Sequence, residues 1–257
     1  QGRTEDDLKA AYEEYPRLTH PYFFVMGERT IYSTKPTPMN FRVMQDDREN
    51  IFIMARERQD AMDLIGTMLH NIEYKNGQAS MLINCADKDT AYLLDLEKYM
   101  PEGWEDFLNS KSDTAEILDD MDEVADLREE AGVTENPLYV LLLMWEKRDG
   151  IGINENYRLT DRMEGIIRRY NELNIHVIFV SRDKGIPNNL IGMCNHRIVA
   201  KTDGNTAFKL IDDSRPENFP TVNGDESTFA IYKVGSDAQK FKIYRHRLAR
   251  ELEEREL

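Results

Sequence analysis

Residues 51–61 read Ile51-Phe-Ile-Met-Ala-Arg-Glu-Arg-Gln-Asp-Ala61. The run from Ile51 to Met54 predicts a buried strand. Met62, Ile65, Met68, Leu69 and Ile72 follow at the spacing of one helix face. A strand running into a helix is where α/β proteins often place a glycine-rich phosphate loop, because the backbone N–H groups of a helix N-terminus attract anions. This junction holds Arg56, Glu57, Arg58, Gln59 and Asp60, with no glycine.

Outward from this stretch the chain alternates strands and helices. Thr4 to Glu14 predicts a short charged helix closed by Pro16, and Tyr22 to Met26 predicts a strand. Gly27 to Thr30 reads as a turn, and Ser33 to Met39, with two prolines, as a loop. Ser80 to Asn84 predicts a second short buried strand. Thr114 to Glu130 predicts a helix with one apolar and one acidic face. Leu138 to Met144 is the most apolar run and suits a central parallel strand covered on both faces. Leu159 to Leu173 predicts an amphipathic helix that leads into a buried strand at Ile175 to Val180. A short strand is expected at Arg197 to Ala200, and a closing hairpin at Phe229 to Val234 and Lys240 to Arg245, around Gly235-Ser-Asp. The tail from Leu248 is charged, and fraying is expected there. The pattern predicts an α/β fold with a mainly parallel central sheet, helices on both faces and a C-terminal β-hairpin. No internal repeat or linker divides it, so 1–257 is expected to form one domain.

Composition excludes several classes of function. With 33 basic and 48 acidic side chains the net charge is −15, which argues against nucleic acid as a partner. Cys85 and Cys194 lie far apart in or near apolar runs and read as reduced, buried thiols. His20, His70, His176, His196 and His246 show no metal-ligand spacing. No apolar run is long enough to span a bilayer, so no direct membrane insertion by this segment is expected. The chain starts Gln1-Gly2 without methionine, as expected of a domain excised from a longer protein whose membrane anchor lies elsewhere.

Phosphate chemistry has defined requirements: glycines that let the backbone wrap phosphates, a lysine for the outer phosphates, and a hydroxyl for magnesium. With the pattern G-x-x-x-x-G-K-[ST] laid over 54–61, Met54 and Gln59 stand at the glycines, Asp60 at the lysine and Ala61 at the hydroxyl. The second requirement is an apolar strand ending in Asp-Glu, which orients magnesium and the attacking water. Counted from Pro137, Met144 stands at the Asp and Trp145 at the Glu. Glu146 falls one place later, where a continuing strand would turn it to the other face. Arg182 follows the strand at Ile175 to Val180, where α/β sheets place functional groups; a surface arginine is an equal reading. Gly150-Ile-Gly152 lacks the third glycine of a dinucleotide fingerprint and reads as a loop.

The order of these pieces resembles the FtsK/SpoIIIE-type P-loop ATPase domains, and more specifically the last ATPase-like domain of the membrane-anchored motor of bacterial type VII secretion. The likeness runs from the Tyr22 strand through 54–61, Met81 to Asn84, the acidic helix, Pro137 to Trp145, and Asn174 to Arg182, to the closing hairpin. The family usually reads Thr-Gln-Arg at the end of the penultimate of these pieces; here Val180-Ser181-Arg182 keeps only the arginine.

The resemblance implies a RecA/FtsK-like P-loop fold. It makes Met54, Gln59, Asp60 and Ala61 a degenerate Walker A and Met144, Trp145 and Glu146 a degenerate Walker B. It leaves no catalytic residue and no metal ligand expected, with Arg182 as a possible functional arginine. The family uses ATP and Mg2+; none is expected in this domain. It further implies secreted WXG-type helical-hairpin proteins and neighbouring ATPase domains of the same protein as partners, a place at the cytoplasmic face of the membrane, and oligomerisation of the full-length protein. The function implied is substrate recognition and regulation of the active neighbours. The alternatives are an active ATPase with unusual motifs and a DNA translocase domain.

Overall fold

The computed structural model describes residues 4–30, 35–74, 81–93, 96, 105–107, 113–132, 136–148, 157–182, 185–212 and 229–246. In chain order the elements are α1 (Glu5–Glu14), β1 (Phe23–Arg29), β2 (Pro38–Arg42), β3 (Ile51–Met54), α2 (Arg58–Tyr74), β4 (Met81–Asn84), β5 (Glu105–Phe107), α3 (Thr114–Ala131), β6 (Leu138–Leu143), α4 (Tyr157–Glu172), β7 (Ile175–Ser181), α5 (Asn188–Ile191), β8 (His196–Val199), α6 (Gly204–Ile211), β9 (Phe229–Val234) and β10 (Asp237–Ile243). Short 3-10 turns lie at Pro16–Thr19, Lys88–Leu93 and Trp145–Lys147. Two compact units result: Gln1–Val43, Ile53–Gly77 and Arg197–Leu257 form the first, and Met44–Phe52 with Gln78–His196 the second.

The first unit is antiparallel in its strand pairs, in the order β2-β1-β10-β9-β8. Phe24 stacks on Phe41, and Phe41 on Tyr232, with ring centroids 5.6 and 4.8 Å apart. The capping box of α1 at Thr4 and Asp7 sets its start, and Leu8, Ala11 and Tyr12 pack with Leu18, Val25 and Tyr244. Asn71 ties α2 to β1: its amide oxygen accepts the Tyr12 hydroxyl (2.5 Å) and the Val25 N–H (2.8 Å). Its NH2 donates to the carbonyls of Val25 (2.9 Å) and Thr67 (2.8 Å).

The second unit holds the parallel sheet, in the order β7-β6-β4-β5. Every residue of β4 and β7 is buried, as is all of β6 after Leu138, the unbroken apolar pattern of a strand covered on both faces. Helix α3 begins on an Asp113 cap, whose carboxylate accepts the Ala115 N–H (2.9 Å), and ends at Gly132 in the left-handed region (φ 62°). Beside it, the Tyr170 hydroxyl of α4 donates to the Met121 carbonyl (2.6 Å).

Two sequence expectations fail in the first unit. Gly27 to Arg29 continue β1 instead of turning, because Gly27 pairs with Ile243 at a close approach that a Cβ would fill: it would stand 2.2 Å from the Lys242 carbonyl oxygen. Pro38 and Met39 open strand β2 instead of staying in a loop; β2 ends the strand order, where a proline at the first position costs no ladder bond. Strand β5, helices α5 and α6 and the 3-10 turns had no counterpart among the sequence expectations, although Ala207, Leu210 and Ile211 of α6 do follow helical spacing. Gly150-Ile-Gly152 and the tail from Leu248 lie outside the described residues.

Candidate functional site

In the first unit, Ala55, Arg56 and Glu57 join the end of β3 to the start of α2. The Met54 carbonyl accepts the Ala200 N–H (2.9 Å), and the Ala61 N–H donates to the Glu57 carbonyl (3.1 Å), so the helix ladder is already under way at Ala61. Met54, Asp60 and Ala61 are buried, Asp60 at 3% exposure. Gln59 donates to the Asp63 carboxylate (3.2 Å). Asp63 also accepts the His246 N–H (2.8 Å) and faces the Arg245 guanidinium at 3.4 Å; its burial still raises its pKa above the ordinary carboxylate value. Arg56 lies 4.0 Å from Asp203, whose carboxylate caps α6 by accepting the Thr206 N–H (3.0 Å).

In the second unit, the candidate residues gather at the C-terminal ends of parallel strands, where α/β sheets bind ligands. Strand β6 stops at Leu143. Met144 adopts the left-handed region (φ 55°, ψ 40°) while its N–H still donates to the Val180 carbonyl (2.8 Å). A positive φ is costly for a residue with a Cβ, and it swings the chain into the 3-10 turn Trp145–Lys147. Glu146 is therefore not turned to the opposite face of a continuing strand, as the register count expected. Its carboxylate accepts the Ser181 hydroxyl (2.9 Å) and the Arg182 N–H (2.7 Å).

The Arg182 guanidinium reaches the Asp89 carbonyl (3.1 Å). Met144 and Trp145 are fully buried. The structure thus brings together Glu146, Ser181 and Arg182, while Met54, Gln59, Asp60 and Ala61 belong to the other unit. Ser181, at the strand end, carried no chemical signal of its own; Glu146 and Arg182 had each been singled out in the sequence, but separately.

Nearby groups are held rather than poised. Asp87 is partly desolvated, yet hydrogen bonds from Thr90 and the Asp89 N–H, with Lys147 at 3.5 Å, bring its pKa below the ordinary value. Burial pushes the Cys85 thiol up to about 12, so it is no nucleophile at neutral pH. Among the described residues no group of three or more His, Cys, Asp or Glu side chains could hold a metal ion.

A larger polar cluster in the second unit was missed in the sequence. Asn50 and Asn171 exchange amide hydrogen bonds (3.0 and 2.9 Å). Asn50 also donates to the Met193 carbonyl (2.8 Å) and accepts the Val177 N–H (2.9 Å). His176 is bonded through Nδ1 to the Glu49 carbonyl (2.6 Å) and through Nε2 to the Asn174 side chain (2.9 Å). Glu49 pairs with His196 Nε2 at 2.7 Å. The available signal was polar residues set directly before buried strands, at Asn50 and Asn174.

No family model and no curated protein matches this sequence. Solved structures do. The cytoplasmic domain of EssC superposes with a TM-score of 0.61 at 12% identity, over 96% of this chain and 47% of that one. The chain has the fold of the EssC and EccC ATPase domains. The cytoplasmic domain of the type VII secretion ATPase EccC of Thermomonospora curvata gives 0.60 at 12% identity, over 88% of this chain and 29% of that one. EccC ATPases 2 and 3 of the same organism, in complex with a signal sequence peptide, give 0.60 at 10% identity, over 87% and 40%. The chain thus spans less than half the length of these EssC and EccC structures. This is the P-loop fold expected from the order of the sequence elements.

Proposed function

We propose that the chain is a non-catalytic or weakly active ATPase-like domain of a type VII protein secretion motor, reading 1–257 as one FtsK/SpoIIIE-like domain. In this reading it recognises secreted substrates and regulates neighbouring ATPase domains, at the cytoplasmic face of the membrane and within an oligomeric parent. ATP and Mg2+ serve those neighbours and not this domain.

The observation that carries the proposal is the segment from Met54 to Ala61. The residue at the lysine position is a buried aspartate, and the residue at the hydroxyl position a buried alanine. A carboxylate about 4 Å from a phosphate charge costs roughly 1 to 4 kcal/mol where a lysine would gain it. The second unit supports the same reading: Glu146 is engaged by Ser181 and the Arg182 N–H, a tie that holds the chain rather than an attacking water. Fold and site are separable, so a domain can keep the motor scaffold for docking.

The EccC structure of similar fold holds a signal sequence peptide, which supports a peptide of that kind as the partner to try. A fluorescent peptide copying the signal sequence of a secreted helical-hairpin protein is expected to bind this chain saturably, without nucleotide. Failure of every such peptide, together with no effect of the chain on ATP turnover by a neighbouring motor domain, would reject the interaction role.

A further inference from the structure

A cleft of about 690 Å3 opens within the second unit, between the segment ahead of β3, the C-terminal half of α4, and α5. That volume lies in the range of ligand sites. It sits by the start of β7, away from the strand ends that carry Glu146 and Arg182. Its rim carries the carboxylates of Asp46, Asp47, Glu164 and Glu172 against the guanidiniums of Arg48 and Arg168. Arg48 lies 3.7 Å from Asp47, and Arg168 donates to Glu164. Asp46 and Glu172 are left in excess, with no cationic partner among the described residues. The C-terminal end of α4, a 16-residue helix, adds the partial negative charge of its last carbonyls.

Two further features narrow the occupant. On its floor Asn171 is buried and held to Asn50, which fixes that part of the cleft. Gln45 donates its amide to the Glu172 carbonyl (3.0 Å) and Asn189 to Glu164 (3.1 Å). Each turns its NH2 inward to the protein and keeps an amide oxygen able to accept a peptide N–H.

We propose that this cleft binds a lysine- or arginine-bearing segment of a partner polypeptide, its cation held by Asp46 and Glu172 and its backbone by Gln45 and Asn189. The inference rests on the second unit alone and stands whether or not the chain binds nucleotide.

The net charge of −15 would attract any polycation weakly, so the test must separate the cleft from the surface. Tetralysine peptide is titrated into the chain by calorimetry, alongside a side-chain-acetylated version. The double variant Asp46→Asn with Glu172→Gln changes the cleft; Glu116→Gln with Glu123→Gln removes the same charge from α3. The cleft variant is expected to weaken tetralysine binding at least about fivefold, the α3 variant by less than about twofold, with no binding of the acetylated peptide. Equal weakening by both variants, no weakening by the cleft variant, or no binding to the unaltered chain would overturn the proposal.

Discussion

His176 shows how much one buried side chain sets. It is fully buried between the Glu49 carbonyl and Asn174, and burial lowers its pKa to about 4. In the unfolded chain a histidine titrates near 6.5, so as pH falls the unfolded state takes the proton first. The contribution of neutral His176 is therefore complete above about pH 6.5 and is lost progressively down to about pH 4, in total about 3 kcal/mol. Glu49 acts in the same direction at lower pH. Burial raises its pKa, but the His196 hydrogen bond and charge with its other donors outweigh that and leave it lowered, so its contribution is lost as pH falls below the ordinary carboxylate range. Urea unfolding at pH 7 and pH 4.5 should show the loss, and His176→Gln should flatten the slope between them; an unchanged midpoint would contradict the assignment. Glu146 offers a second test at this scale. Glu146→Ala removes the acceptor of a buried Ser181 hydroxyl and of the Arg182 N–H, and should cost about 1 to 3 kcal/mol of stability. A stability unchanged within a few tenths would contradict the tie.

Among the elements, β1 and the α3–α4 pair carry separate predictions. Gly27→Ala places a Cβ against the Lys242 carbonyl and the Phe241 ring, at 2.2 and 2.6 Å, so strand β10 must shift. A loss of about 2 kcal/mol or more is expected in denaturant unfolding, whereas Gly165→Ala, with open space around it, should be neutral or stabilising. On the helix pair, Arg162 of α4 bridges Asp119 and Asp122, at 2.5 and 2.8 Å. Arg169 bridges Asp126 and Glu129, at 2.7 and 2.6 Å. Arg162→Ala with Arg169→Ala should lower Tm at low salt, and the difference should close near 1 M salt, where screening acts over about 3 Å.

The parallel strands β4, β6 and β7 were legible because burial on both faces writes an unbroken apolar run, as at Leu138 to Leu143. The acidic face of α3 was legible, but its pairing with α4 was not, since spacing within one helix says nothing of its neighbour. Strand β2 was hidden by Pro38 at its first position and Pro36 just ahead of it. The left-handed turn at Met144 was hidden because methionine gives no sign of it.

At the scale of the whole molecule, the chain has the fold of the EssC and EccC ATPase domains, and the proposal is that it does not carry their nucleotide chemistry. The fold is carried by apolar runs, to which Met54 and Ala61 contribute buried side chains, and by buried amides such as Asn50 and Asn71. The candidate site was legible only as positions: spacing placed Met54 to Ala61 and Met144 to Glu146, while three-dimensional contacts alone joined Glu146 to Ser181 and Arg182. The most direct test of the central claim is calorimetric titration of the chain with ATP, with and without magnesium. The account predicts no saturable binding up to about 1 mM ATP; a magnesium-dependent Kd in the micromolar range, roughly −8 kcal/mol, would contradict it.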